Sequence, residues 1–113
     1  MEELDQLLEG LDTTGKLPSV IKQLNKDFLL ANVDFGLNDE IPVLSFKLMF
    51  LDMLNELIIY DSDKLQRVLY KVDISEEEYQ KNLVSDTSVF STILARLILK
   101  RELKKVNYRL KYS

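Results

Sequence analysis

The sequence predicts an all-α fold of about five helices packed around a central hydrophobic helix, with a long helix at the C-terminus. Three observations support this. Gly (3) and Pro (2) are scarce among 113 residues, while the chain is rich in Leu, Lys and Glu, which favour helices. Apolar side chains recur at steps of three and four rather than two, the period of a helix with one buried face. Cap chemistry punctuates those repeats where helices should begin.

The first repeat, Leu4, Leu7, Leu8 and Leu11, predicts a short helix over residues 2–11. It ends near Gly10 and Gly15 and is marginal enough alone to serve as a packing arm. A second helix begins at Pro18, whose fixed φ suits a first turn, and continues through Val20, Ile21, Leu24, Phe28 and Leu29. From Ala31 to Pro42 the helical repeat fails. Asn32, Asp34, Gly36, Asn38 and Asp39 supply turn chemistry, so a loop is expected, with a brief extended segment around Val33, Phe35 and Leu37.

Residues 43–60 read as a helix that is apolar on nearly every side, with only Ser45, Asp52 and Glu56 forming a wet edge. Such a helix should be surrounded, which makes it the expected central element. Asp61 or Ser62 caps a fourth repeat, Leu65, Val68, Leu69 and Val72. Ser75 and Glu78 form a capping box with Glu76 and Glu77 near the positive helix end, so a further helix runs to about Leu83. The last helix is expected from Ser88 to about Arg109. Phe90, Ile93, Leu94, Leu97 and Ile98 line one face; Leu99, Leu103, Val106 and Leu110 line a second, half a turn away.

The length fits a single domain, 1–113. Its 46% hydrophobic and 30% charged residues separate it from disordered chains, which lack the apolar side chains to build a core. Charges interrupt each apolar run before the roughly 18 residues of a membrane span. The opening Met1, Glu2 and Glu3 differ from the basic start of a signal peptide. From these two features a cytoplasmic location is expected, and the absence of cysteine fits a reducing compartment.

The same composition excludes much chemistry. Without histidine or cysteine, no imidazole base, thiol nucleophile or thiolate metal site can form. The glycines at 10, 15 and 36 are too scattered for a phosphate-cradling loop. Asp34, Asn38 and Asp39 fail as a calcium loop, because Asp39 falls where glycine is required and Ser45 where the bidentate glutamate belongs. Asp61 and Asp63 are read as helix-start residues. Glu76, Glu77 and Glu78 point about 100° apart and do not converge. Neither cofactor nor metal ligand, nor any catalytic residue, is assigned.

Charge is unevenly distributed. Residues 100–113 hold six cations and one acid, whereas residues 1–99 hold nine cations and eighteen acids. Three readings of the cationic segment stand open. The cations can complement the helix dipole and lie over the acidic body of the same protein; the apolar stripe can meet another chain; or the cations can engage phosphates of a nucleic acid or a membrane surface.

LYKVDISEEEYQKNL at 69–83, followed by ARLILKRELKKV at 95–106, resembles short all-helical proteins of the Bacteroidetes, in which a LYRIDVSE segment precedes a C-terminal RxLxK helix. The resemblance covers about a third of the chain and carries no activity and no functional residues. It implies a defined joint at Val72, Asp73 and Ile74, with Asp73 capping alongside Ser75.

The functional expectation is a non-enzymatic protein-interaction or scaffold domain, homodimeric through its last helix. Leu99, Leu103, Val106 and Leu110 are the expected apolar anchors, with Lys100, Lys104, Lys105 and Arg109 as the charged rim. The alternative is a nucleic-acid accessory protein using the same cations.

Overall fold

The repeats fold as helices throughout. The computed structural model describes residues 2–112, in which α1 (Glu2–Thr13), α2 (Leu17–Leu30), α3 (Val43–Tyr60), α4 (Ser62–Val72), α5 (Glu76–Asn82) and α6 (Thr87–Tyr112) follow one another. No strand occurs among the described residues. The all-α class and the long C-terminal helix are as expected, and α1 is a packed member of the fold, with Leu4, Leu8 and Leu11 buried.

Local chemistry sets the boundaries. Pro18 lies in the first turn of α2. At its other end Asn32 takes a left-handed φ of 63°, and the Val33 N–H returns to the Phe28 carbonyl at 2.8 Å, a Schellman closure. The Asn25 amide holds the following loop by donating to the Leu37 carbonyl (2.8 Å) and accepting its N–H (3.2 Å). Phe28, Phe35, Phe46 and Phe50 thereby pack ring to ring, at centroid separations of 5.4–6.1 Å.

Asp61 caps α4 by accepting the Lys64 N–H at 3.1 Å, and Ser75 Oγ caps α5 by accepting the Glu78 N–H at 3.1 Å. Asp73 does not share that second cap. It sits at φ 78° and closes α4, with the Ile74 N–H returning to the Leu69 carbonyl at 2.8 Å; a short polar side chain tolerates this left-handed position. α6 starts one residue before Ser88. Asp86 accepts the Val89 N–H (3.0 Å) and the Ser88 hydroxyl (2.8 Å), and these bonds, the Val89 one first, hold its carboxyl below the ordinary range.

The expectation of a central α3 is corrected. α6 packs against α1, α2, α3 and α4, and Phe90, Leu94, Ala95, Ile98, Leu99 and Val106 are buried along it. α3 buries one face only, through Phe46, Phe50, Leu54 and Leu57, and leaves Leu44 63% and Leu48 60% exposed. Hydropathy around a helix counts apolar side chains without locating its neighbours, and α3 has neighbours on one side only. No described helix is long and apolar enough to cross a membrane.

Candidate functional site

The α4–α5 joint and the cationic half of α6 border a concavity. One cavity of about 860 Å³ lies between Leu69–Glu76 and α6, with Tyr70, Lys71, Asp73, Tyr79 and Arg101 among its walls. A second, of about 520 Å³, continues along α6 past Lys104, Tyr108 and Arg109. Both are bounded by Asp73, Arg101 and Lys105, so they form one groove. The left-handed turn at Asp73 closes α4 at the wall of this groove, and Tyr79 of α5 packs edge-on against Phe90 of α6 at a centroid separation of 5.5 Å.

Beneath the groove lies a buried polar cluster that ties α2 to α6. Lys105 Nζ donates to Asp27 Oδ2 at 2.7 Å and to the Lys71 carbonyl at 2.9 Å, and stands 3.5 Å from Glu102 Oε1. Gln23 Nε2 donates to Asp27 Oδ1 at 3.1 Å, and the Arg109 guanidinium donates to Gln23 Oε1. Asp27 is 4% exposed and Glu102 is fully enclosed.

Burial pushes the Glu102 carboxyl up to about 9, and the adjacent Asp27 carboxyl adds to the rise while Lys105 opposes it. A charge in that position would lack water and would face a second acid. At that value Glu102 is protonated at pH 7. Lys105 and Gln23 are thus the donors to Asp27, with Glu102 buried beside them.

The structure places the expected site residues unevenly. Lys104, Lys105 and Arg109 line the groove, while Lys100 is exposed outside it. Leu99 and Val106, expected as anchors for a partner, are buried at 0% and 3% exposure, and Leu103 is half-buried against the same core. The second apolar stripe is therefore mostly consumed within the chain. Leu110 remains exposed, beside a shallow hollow shared with Ser19, Lys22 and Arg109.

Sequence reasoning passed over Lys71, Tyr70, Tyr79 and the proximity of Asp27 to Glu102, and it placed Asp73 at the joint without assigning it to a groove. A signal for the acid pair was present. Gln23 and Asp27 fall among Val20, Leu24 and Phe28, and Glu102 falls between Ile98 and Val106, so all three occupy inward positions of apolar repeats.

Comparison with protein-family models, curated proteins and solved structures gives no match for this chain. The chemistry of the groove is therefore the basis for a functional reading. Five cations that are not buried, Lys71, Arg101, Lys104, Lys105 and Arg109, surround it with three tyrosines, while Asp73 and Glu76 stand on the joint side. Lys71 Nζ lies 5.8 Å from the Tyr70 ring centre. Among the described residues, no group of three or more acids is gathered as a metal ion would require.

Proposed function

We propose that the protein is a non-enzymatic cytoplasmic interaction module whose groove between the α4–α5 joint and α6 receives an acidic, partly apolar segment of a protein partner. The observation that carries this reading is the continuity of the two cavities, which brings cations of α4 and α6 to one concave, tyrosine-lined surface. Charge steers such a partner into place, and aromatic and aliphatic walls supply desolvated contact. Asp73 and Glu76 on the opposite wall favour a mixed peptide over a continuous phosphate backbone, whose charges they would repel.

The placement of the acid pair supports a binding role over a catalytic one. Asp27 and Glu102 converge beneath Lys105, and neither lines the groove, so neither is positioned to exchange a proton with a bound molecule.

A fluorescein-labelled peptide of alternating Glu and Leu tests the reading, with a single-stranded oligonucleotide of equal charge as the comparison. The peptide should bind, and Arg101→Glu with Lys104→Glu should weaken binding by at least about tenfold, ~1.4 kcal/mol. Tighter binding of the oligonucleotide, lost steeply with added salt, would replace this reading with the nucleic-acid one.

A further inference from the structure

Lys105 belongs to two places at once. Its side chain borders both cavities of the groove, and its Nζ stands over the buried acids, 2.7 Å from Asp27 Oδ2 and 3.5 Å from Glu102 Oε1. The lysine is partly exposed, whereas both acids are enclosed. The groove therefore meets the acids through Lys105.

The two acids are held differently. Asp27 accepts from Gln23 Nε2 as well as from Lys105, but hydrogen bonds satisfy neither oxygen of Glu102. The ionisable groups that act on Glu102 are Asp27 from α2 and Lys105 from its own helix. α4 reaches the cluster through the Lys71 carbonyl, which accepts from Lys105 at 2.9 Å. The ion pairs that α1 makes, Glu3 with Arg96 and Asp5 with Lys47 of α3, include no member of it.

Two charge states of the cluster follow. With Glu102 protonated, one carboxylate and one ammonium balance, and the cations around the groove act on a ligand without opposition from below. With Glu102 ionised, two carboxylates share one ammonium. The groove floor then gains a negative charge in a setting poor in water, where its field is weakly screened.

We propose that proton occupancy of Glu102 governs how strongly the groove holds an acidic ligand, with Lys105 as the relay between them. This rests on the groove receiving an acidic segment, as proposed above. An ionised Glu102 draws Lys105 Nζ inward and repels an incoming carboxylate, so binding weakens as the proton leaves. Because that carboxyl titrates at about 9, the groove is receptive at neutral pH and closes in alkali. By reciprocity, a bound acidic ligand tightens the hold of Glu102 on its proton by the same factor.

The alternating Glu–Leu peptide, carrying a rhodamine label that does not titrate, tests this from about pH 7 to about pH 9.5 against native chain and Glu102→Gln. Titration of exposed lysine and tyrosine is common to both proteins, so the difference belongs to position 102. The native dissociation constant should rise about fivefold relative to that of the variant, the low end of coupling between two sites. Circular dichroism at each pH separates weakened binding from unfolding. Glu102→Met, equally uncharged, takes the place of Glu102→Gln if the amide disturbs the fold.

Calorimetry at about pH 8.5, in two buffers of different ionisation enthalpy, gives a second readout. The native chain should take up a fraction of a proton with each peptide bound, more than Glu102→Gln does. Parallel pH profiles for the two proteins, or equal proton uptake, would overturn the proposal and leave the groove as a peptide site. Absence of peptide binding at every pH would remove the groove reading itself, and the proposal with it.

Discussion

α3 carries apolar side chains on nearly every side yet buries only Phe46, Phe50, Leu54 and Leu57. α6 carries a dense run of cations, yet it encloses Leu99, Glu102 and Val106 within that run. Enclosure here follows position in the packing. α6 lies against α1, α2, α3 and α4 and is covered almost all round along its first two-thirds, whereas α3 meets α1, α4 and α6 with one face and leaves the other exposed. A charged helix can be central because lysine and arginine stems reach past apolar neighbours and carry their charge to the surface.

Matched substitutions on the two helices test that contrast most severely. Val106→Glu should destabilise the fold by about 3–5 kcal/mol, because it places a carboxylate at a core position only 3% exposed. Urea unfolding would measure this; a folded variant of altered solution mass would show instead that Val106 faces another chain. Leu48→Glu on α3 should change monomer stability by no more than about 0.5 kcal/mol, as surface changes do.

Lys105→Met comes next. It leaves Asp27 inside the protein with Gln23 as its remaining hydrogen-bond partner, and removing one member of a buried pair typically costs about 3–5 kcal/mol. Because Lys105 is 31% exposed, the lower end of that range is expected. Thermal unfolding would show a clear fall, and an unchanged midpoint would mean that the α2–α6 tie contributes nothing.

The smallest of the buried-cluster effects has the opposite sign. Glu102 binds its proton more tightly in the folded chain, at about 9 against an ordinary value of 4.5. The unfolded chain therefore loses that proton first as pH rises. Stability from this group is greatest at or below pH 4.5, falls through the neutral range, and levels off above pH 9.

Between pH 5 and 7.5 the loss is on the order of 3 kcal/mol. Glu102→Gln abolishes that slope and should stabilise the protein at pH 7.5 by about 1–3 kcal/mol, since a neutral amide takes up no proton on burial. Denaturant titrations of both proteins at the two pH values would check this. A native chain with a flat profile would place the Glu102 carboxyl in contact with water.

Much of the architecture is legible in the linear order of residues. The Ser75 and Asp61 caps, the Pro18 start and the helical repeats of α2, α4 and α6 rest on interactions within four residues, so local spacing reveals them. The groove is less legible. Lys104, Lys105 and Arg109 stand out as part of a basic run, but Tyr70, Lys71 and Asp73 join them only because the chain doubles back at the α4–α5 joint.

Leu99 and Val106 illustrate the same boundary from the other side. Their stripe is plain in the sequence, but whether a stripe is closed by its own chain or left for a visitor depends on neighbours many residues away.

The sequence by itself determined that this chain is helical, where most of its helices begin, and that its cations gather at one end, because backbone hydrogen bonding, capping and charge are local properties. Only the tertiary structure decided that α6 is enclosed over most of its length while α3 keeps an open apolar face, and that Asp27 and Glu102 are buried together beneath Lys105. Those outcomes depend on which surfaces meet and how completely they exclude water. Residues as distant as 27 and 105 acquire that relation only when the helices pack.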